Sequence, residues 1–221
     1  MSEKTGSDTD RKTDMVRERV RLRFSKKGTL RFIGHRDLLN TMDRLLRRSR
    51  LPVAMTEGFH PKQKVSYVSA LALGMASDDE VMEVVFSDEL STGDILEHLN
   101  AVSVEGLHFN SAEILPEGGK KSTAESFLYE IPIPAALNRD WETRLEHLRS
   151  SESVEVSKPN GKLVDLKAPL LLLESTPEKI TIRLASQNGP EAGIREYLSY
   201  LGLEDLLFKT IVPCRKETSL L

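Results

Sequence analysis

Apolar and polar residues alternate over residues 16–24. Val16, Val20, Leu22 and Phe24 share one phase, and Arg17, Arg19, Arg21 and Arg23 share the other. A period of two predicts a half-buried strand with an arginine-rich open face. Residues 25–28 read as a turn and 29–33 as a short extended return. The period then changes. Leu38, Leu39, Met42, Leu45 and Leu46 fall in one helical stripe, while Arg36, Asn40, Asp43, Arg44 and Arg47 fall opposite. This predicts a helix capped at Gly34, with Asp37 near its free N–H groups. Arg47, Arg48 and Arg50 crowd its last turn, and Pro52 stops it.

Residues 57–64 form a loop with Gly58 and Pro61. Strands follow at 65–73 and 81–86, separated by a polar turn at 74–80. A helix at 92–99, capped by Ser91 or Thr92, leads to a strand at 107–115. The order β-α-β-β-α-β is the split βαβ, or ferredoxin-like, pattern. The second half repeats it: a strand at 126–133, then a helix after Asn138 carrying Trp141, Leu145 and Leu148. A hairpin at 154–156 and 163–166 turns on Lys158, Pro159, Asn160 and Gly161. Strands at 170–173 and 180–184 precede a helix at 191–201, with Ile194, Tyr197, Leu198 and Leu201 on its apolar face. A strand at 206–212 closes the chain. The expected fold is therefore α+β: two tandem ferredoxin-like domains, antiparallel sheets with helices on one face. They would span 15–118 and 119–221, after a disordered tail at 1–14.

Composition narrows the chemistry. The 221 residues are 39% hydrophobic and 29% charged, a globular balance. No apolar run is long enough for a membrane helix, and the polar N-terminus has no apolar signal region. A cytoplasmic protein without a membrane partner is expected. The single Cys214 excludes an intrachain disulfide, a cysteine-rich zinc site and a cysteine-ligated iron–sulfur cluster. The net charge of −3 hides an asymmetry: residues 11–64 carry sixteen Lys/Arg against five Asp/Glu, and residues 65–221 carry fourteen against twenty-six. Such a split points to a polyanion partner for the basic part.

The basic part also carries a resemblance. Its first segment runs unbroken from Phe24 to Leu38 and includes Ser25, Lys26, Lys27, Gly28, Gly34, His35, Arg36 and Asp37. Further segments are Arg47-Arg48-Ser49-Arg50-Leu51-Pro52, Gly58-Phe59-His60-Pro61, Lys64-Val65-Ser66 and Leu71-Ala72-Leu73-Gly74, with a weaker echo from Lys162 to Lys167. Together these resemble the radical-SAM-linked proteins. That bacterial group is found beside, or fused to, a radical S-adenosylmethionine protein. This chain departs from the group's usual Ser at Gly34 and Asn at His60, its frequent His at Lys62 and its Arg at Lys167. The resemblance implies a radical S-adenosylmethionine protein as partner. Cys214 alone cannot supply the three-thiolate cluster such an enzyme needs.

Candidate residues follow from charge and position. His35 opens the arginine-rich helix, where free N–H groups favour an anion, and is the candidate catalytic residue. Arg36, Asn40, Arg44 and Arg47 of the helix, with Arg21, Arg23 and Arg31 from extended segments, would line a phosphate-tracking groove. His60, Lys62 and Lys64 of the loop would join His35 around one anion. Phe32, Phe59 and Tyr67 are the nearby aromatic residues. Asp78, Asp79 and Glu80 read as a solvated turn, and no metal or cofactor is expected. The leading expectation is a non-catalytic RNA- or phosphate-binding accessory protein. Its rivals are a metal-independent endoribonuclease with His35 as general base, and a pure protein-interaction module.

Overall fold

The computed structural model describes residues 17–186 and 192–221. The tail expected at 1–14, Val16 of the first strand and Glu191 of the last helix lie outside them. The fold is mixed α+β. The first half contains β1 (Glu18–Lys26), α1 (His35–Ser49), β2 (Val65–Tyr67), β3 (Ala76–Phe86), α2 (Thr92–Ala101) and β4 (Leu107–Ile114). The second contains β5 (Ala124–Pro132), α3 (Asp140–Ser150), β6 (Glu155–Ser157), β7 (Leu163–Asp165), β8 (Leu170–Ser175), β9 (Lys179–Ala185), α4 (Ile194–Tyr200) and β10 (Cys214–Leu220).

One sheet runs through both halves in the order β4-β1-β3-β10-β5-β9-β8, with β2 also on β3. The pairs within each half are antiparallel. The joint between halves is parallel: Cys214 and Arg215 of β10 lie beside Ala76 and Ser77 of β3. β2 is short, pairing only Val65–Tyr67 with Val84–Met82, and β10 pairs with Ala76 and Ser77 at the start of β3. Strands β6 and β7 form a separate hairpin.

The alternation of β1 works as predicted. Val20, Leu22 and Phe24 are buried with Leu38, Met42, Leu45 and Leu46 of α1 and with Ile95 and Leu99 of α2. A second core gathers Trp141, Leu145 and Leu148 of α3, Ile194, Tyr197 and Leu198 of α4, and strand residues including Tyr129, Ile131 and Ile182. Leu71 and Met75, from the first half of the chain, belong to this second core.

Four expected elements differ. The strand expected at 65–73 forms only over Val65–Tyr67. Residues 28–32 form a 3-10 helix rather than an extended return. The buried Lys26 explains this, because its ammonium needs an acceptor and donates to the Ile33 carbonyl at 3.1 Å, drawing the chain into a tight turn. Residues 76–80 lie in β3 rather than in a solvated turn. Residues 206–212 are not a strand; Leu207 and Ile211 plug the second core, and the closing strand begins at Cys214.

The charges of β10 account for the last two differences. Arg215 is 2% exposed and Glu80 is 3% exposed, and they pair at 3.0 Å. Arg215 also donates to Ser69 Oγ at 2.8 Å, to the Ala70 carbonyl at 3.2 Å and to Tyr129 Oη at 3.1 Å. Its guanidinium lies 4.2 Å from the Phe127 ring centre. Glu80 pairs in register with Phe24, and Tyr129 belongs to the second core, so both helical layers cover the same sheet face. Burial lowers the pKa of Lys26, against the pull of Glu80, and raises that of Tyr129, against the pull of Arg215.

Candidate polyanion interface

The arginines of β1 lie on the sheet face opposite α1, and acids take them up. Arg21 donates to Glu113 at 2.8 Å and to Ser122 at 2.6 Å. Arg23 meets Asp79 at 2.5 Å and the Thr218 carbonyl at 3.2 Å. Arg19 and Arg21 both stand 3.9 Å from Glu83, which is buried and also bonded by Ser122. The same pattern continues in the second half, where Arg183 pairs with Glu217 at 3.0 Å. Arg31 sits in the 3-10 helix, its guanidinium 4.3 Å from the centre of the Phe32 ring.

The outer face of α1 is different. Arg36, Asn40, Arg44, Arg47, Arg48 and Arg50 are all exposed. Arg47 is held by Asp43 at 3.0 Å and Arg48 by the Val102 carbonyl. Arg36, Arg44 and Arg50 have no hydrogen bond or ion pair among the described residues. Arg50 follows the last turn of α1 at φ 60°, the one non-glycine among the described residues with a positive φ.

The chain then enters the loop. Thr56 N–H donates to the Lys62 carbonyl at 2.7 Å, and Lys62 N–H donates to Thr56 Oγ1 at 2.9 Å. Lys64 N–H reaches the Ala54 carbonyl at 2.8 Å, and Val85 N–H reaches the Lys64 carbonyl at 3.0 Å. These bonds fix the neck of the loop against β3 and leave its tip in solvent. Phe59 is 102% exposed at that tip, beside exposed His60 and Lys62. Beside the neck, a cavity of about 350 Å³ is lined by Arg19, Gln63, Lys64, Glu83 and Lys121.

His35 is exposed at the other end of α1, a helix about 22 Å long at 1.5 Å per residue. Its ring stands edge-on to Tyr67, centres 6.0 Å apart. No hydrogen bond, ion pair or ring contact joins His35 to His60, Lys62 or Lys64 among the described residues. The structure places Arg44 and Arg47 on the later turns of α1 and His60 and Lys62 at the exposed loop tip, with no hydrogen bond, ion pair or ring contact between the two groups among the described residues. It leaves His35 and Arg36 at the near end, and sets Arg21 and Arg23 on the opposite side of the sheet. Arg48 and Arg50, also exposed at the C-terminal end of α1, lie outside the candidate residues named from the sequence. Their crowding at the last helical turn was the available signal.

The described residues include no group of three or more His, Cys, Asp or Glu placed to hold a metal ion. None of their helices is long and apolar enough to cross a membrane. A family described as an uncharacterized protein conserved in bacteria, DUF2344, matches residues 19–196. The chain belongs to this family. The DUF2344 match runs from β1 into α4 and so takes in α1, the loop and most of the second half. Its description names neither a radical S-adenosylmethionine protein nor RNA. No curated protein matches the chain.

Proposed function

We propose that this DUF2344 protein is a non-catalytic accessory protein that binds RNA or another phosphate polymer along α1 and the loop after it. One contrast supports the reading. The arginines of the open sheet face are spent on acids, whereas Arg36 and Arg44 of α1 and Arg50 just after it have no acidic partner among the described residues. Unpaired guanidinium groups on one helical face are free to replace phosphate counterions. Phe59 adds an exposed aromatic face on which an unpaired base can stack.

The two halves share the strand orders β4-β1-β3-β2 and β10-β5-β9-β8, and we read them as tandem ferredoxin-like units. Four-stranded α/β sheets that bind RNA often use the open face. Here that face is filled by ion pairs, so the helix side is the available surface. A radical S-adenosylmethionine enzyme is the partner implied by the resemblance of the segment from Phe24 to Leu38, and the acidic second half is the surface assigned to it.

The test is fluorescence anisotropy of a labelled single-stranded RNA over a salt series. Replacing Arg36, Arg44 and Arg50 together by Gln should weaken binding and reduce the salt slope by about 2, at roughly 0.7 per phosphate contact. Absence of RNA binding at low salt would retire the proposal. RNA cleavage that disappears in His35→Ala would replace it with the nuclease reading.

A further inference from the structure

A larger cleft than the one beside the loop lies in the acidic half, where the β6–β7 hairpin leans over α3 and α4. It encloses about 560 Å³, within the range of small-molecule sites. Arg144, Lys158 and Arg195 bring three cations to it, and Ser157, Ser199 and Tyr200 bring hydroxyls. Arg144 is fixed by donating to the Tyr200 carbonyl at 2.8 Å. It packs over the turn at Gly202, where φ is +75° and a Cβ would come within 3.2 Å of its Nη1. Lys158 stands 3.9 Å from Glu196, whose other oxygen accepts the Gly193 N–H at 2.8 Å. Tyr200 Oη is held at 2.7 Å from His147 Nδ1, and burial raises its pKa, so it stays a neutral hydroxyl.

Arg195 is the group that the fold does not use. Its Nε is buried and lacks a hydrogen-bond partner, and no ion pair reaches it among the described residues. A guanidinium that lines the cleft with no partner among the described residues leaves its terminal N–H groups for an acceptor from outside the chain. Two arginines and a lysine suit phosphate oxygens. Val156 and Pro159 form an apolar wall, and Glu204 can accept hydroxyl hydrogens at the rim. The volume is much greater than one phosphate needs.

We propose that this cleft binds a phosphorylated, hydroxyl-bearing small molecule between a pentose phosphate and a nucleoside monophosphate in size. This site is separate from the α1 surface and does not depend on the polyanion reading. Isothermal titration calorimetry of the full chain with inorganic phosphate, ribose 5-phosphate and AMP tests it. Binding of at least one organic phosphate more tightly than inorganic phosphate is expected. Arg195→Gln should weaken that binding by about 10-fold to 100-fold, the loss of a charge-assisted hydrogen bond. Ser199→Trp, which fills the cleft and leaves every cation in place, should abolish it. Arg44→Gln on α1 should leave it unchanged, which separates this result from any failure of RNA binding. Thermal unfolding without ligand checks that each variant is folded. The proposal is overturned if no organic phosphate binds, if inorganic phosphate binds equally well, or if folded Arg195→Gln and Ser199→Trp both bind like the parent.

Discussion

Arg50 occupies a backbone position that glycine takes at lower cost. Its φ of 60° and ψ of 13° are the left-handed values that end many helices. An L-residue with a side chain loses about 1–2 kcal/mol there, part of which glycine returns as chain entropy. Arg50→Gly should therefore raise stability by up to about 1 kcal/mol in urea unfolding. The same change should weaken RNA binding and lower the salt slope by about 0.7. Opposite signs in the two measurements would show that the arginine is kept for its charge. Equal affinity in the variant would remove Arg50 from the interface. Asp78 makes a second prediction at this scale. Burial would raise its pKa, but Lys216 and Lys27 donate to it and hold it below the usual 3.8. Its contribution is thus present above 3.8 and is lost as pH falls through the lowered value. Asp78→Asn should lose less stability than the parent on acidification from above 3.8 down through the lowered value, as measured by circular dichroism.

At the scale of elements, the joint between β3 and β10 rests on Arg215 and Glu80. Removing one member of a buried pair strands the other charge, at a cost of about 3–5 kcal/mol. Arg215→Ala should show that loss in urea unfolding. Adding Glu80→Ala should cost less than the two single changes summed, because neither member of the pair is then left to strand the other. The same pair marks where the sequence stops being readable. The α1 stripe and the β1 alternation were legible because their apolar residues repeat within one element. The acids at 78–80 read as a solvated turn because their partners lie on other elements: Lys216 and Arg215 more than 130 positions away, and Arg23 at 56 positions. β10 was missed for the same reason, since Cys214–Leu220 has few apolar residues and is buried by ion pairs and hydroxyl bonds. For the candidate site, composition revealed the excess of arginine. It could not show which arginines the sheet would neutralise, because Glu83 and Asp79 meet β1 only through strand pairing.

For the whole molecule, two cores share one sheet, and Leu71 and Met75 cross from the first half into the second core. The halves should therefore unfold together. Trp141, the one tryptophan, reports on the second core, while far-ultraviolet circular dichroism reports on every element. The two signals should give coincident urea transitions. A fluorescence midpoint separated from the dichroism midpoint would show that the halves are independent units.

The central place of β10 also has a consequence during synthesis. A ribosome makes β3 and β5 long before the strand that joins them, so both wait with an open edge. Such edges invite pairing with other chains. A message cut short before Cys214 would yield nearly all of both cores and still lack the strand between them. Its product would be a substrate for chaperones and proteases, which makes the arrival of seven late residues the step that commits the nascent chain to its fold.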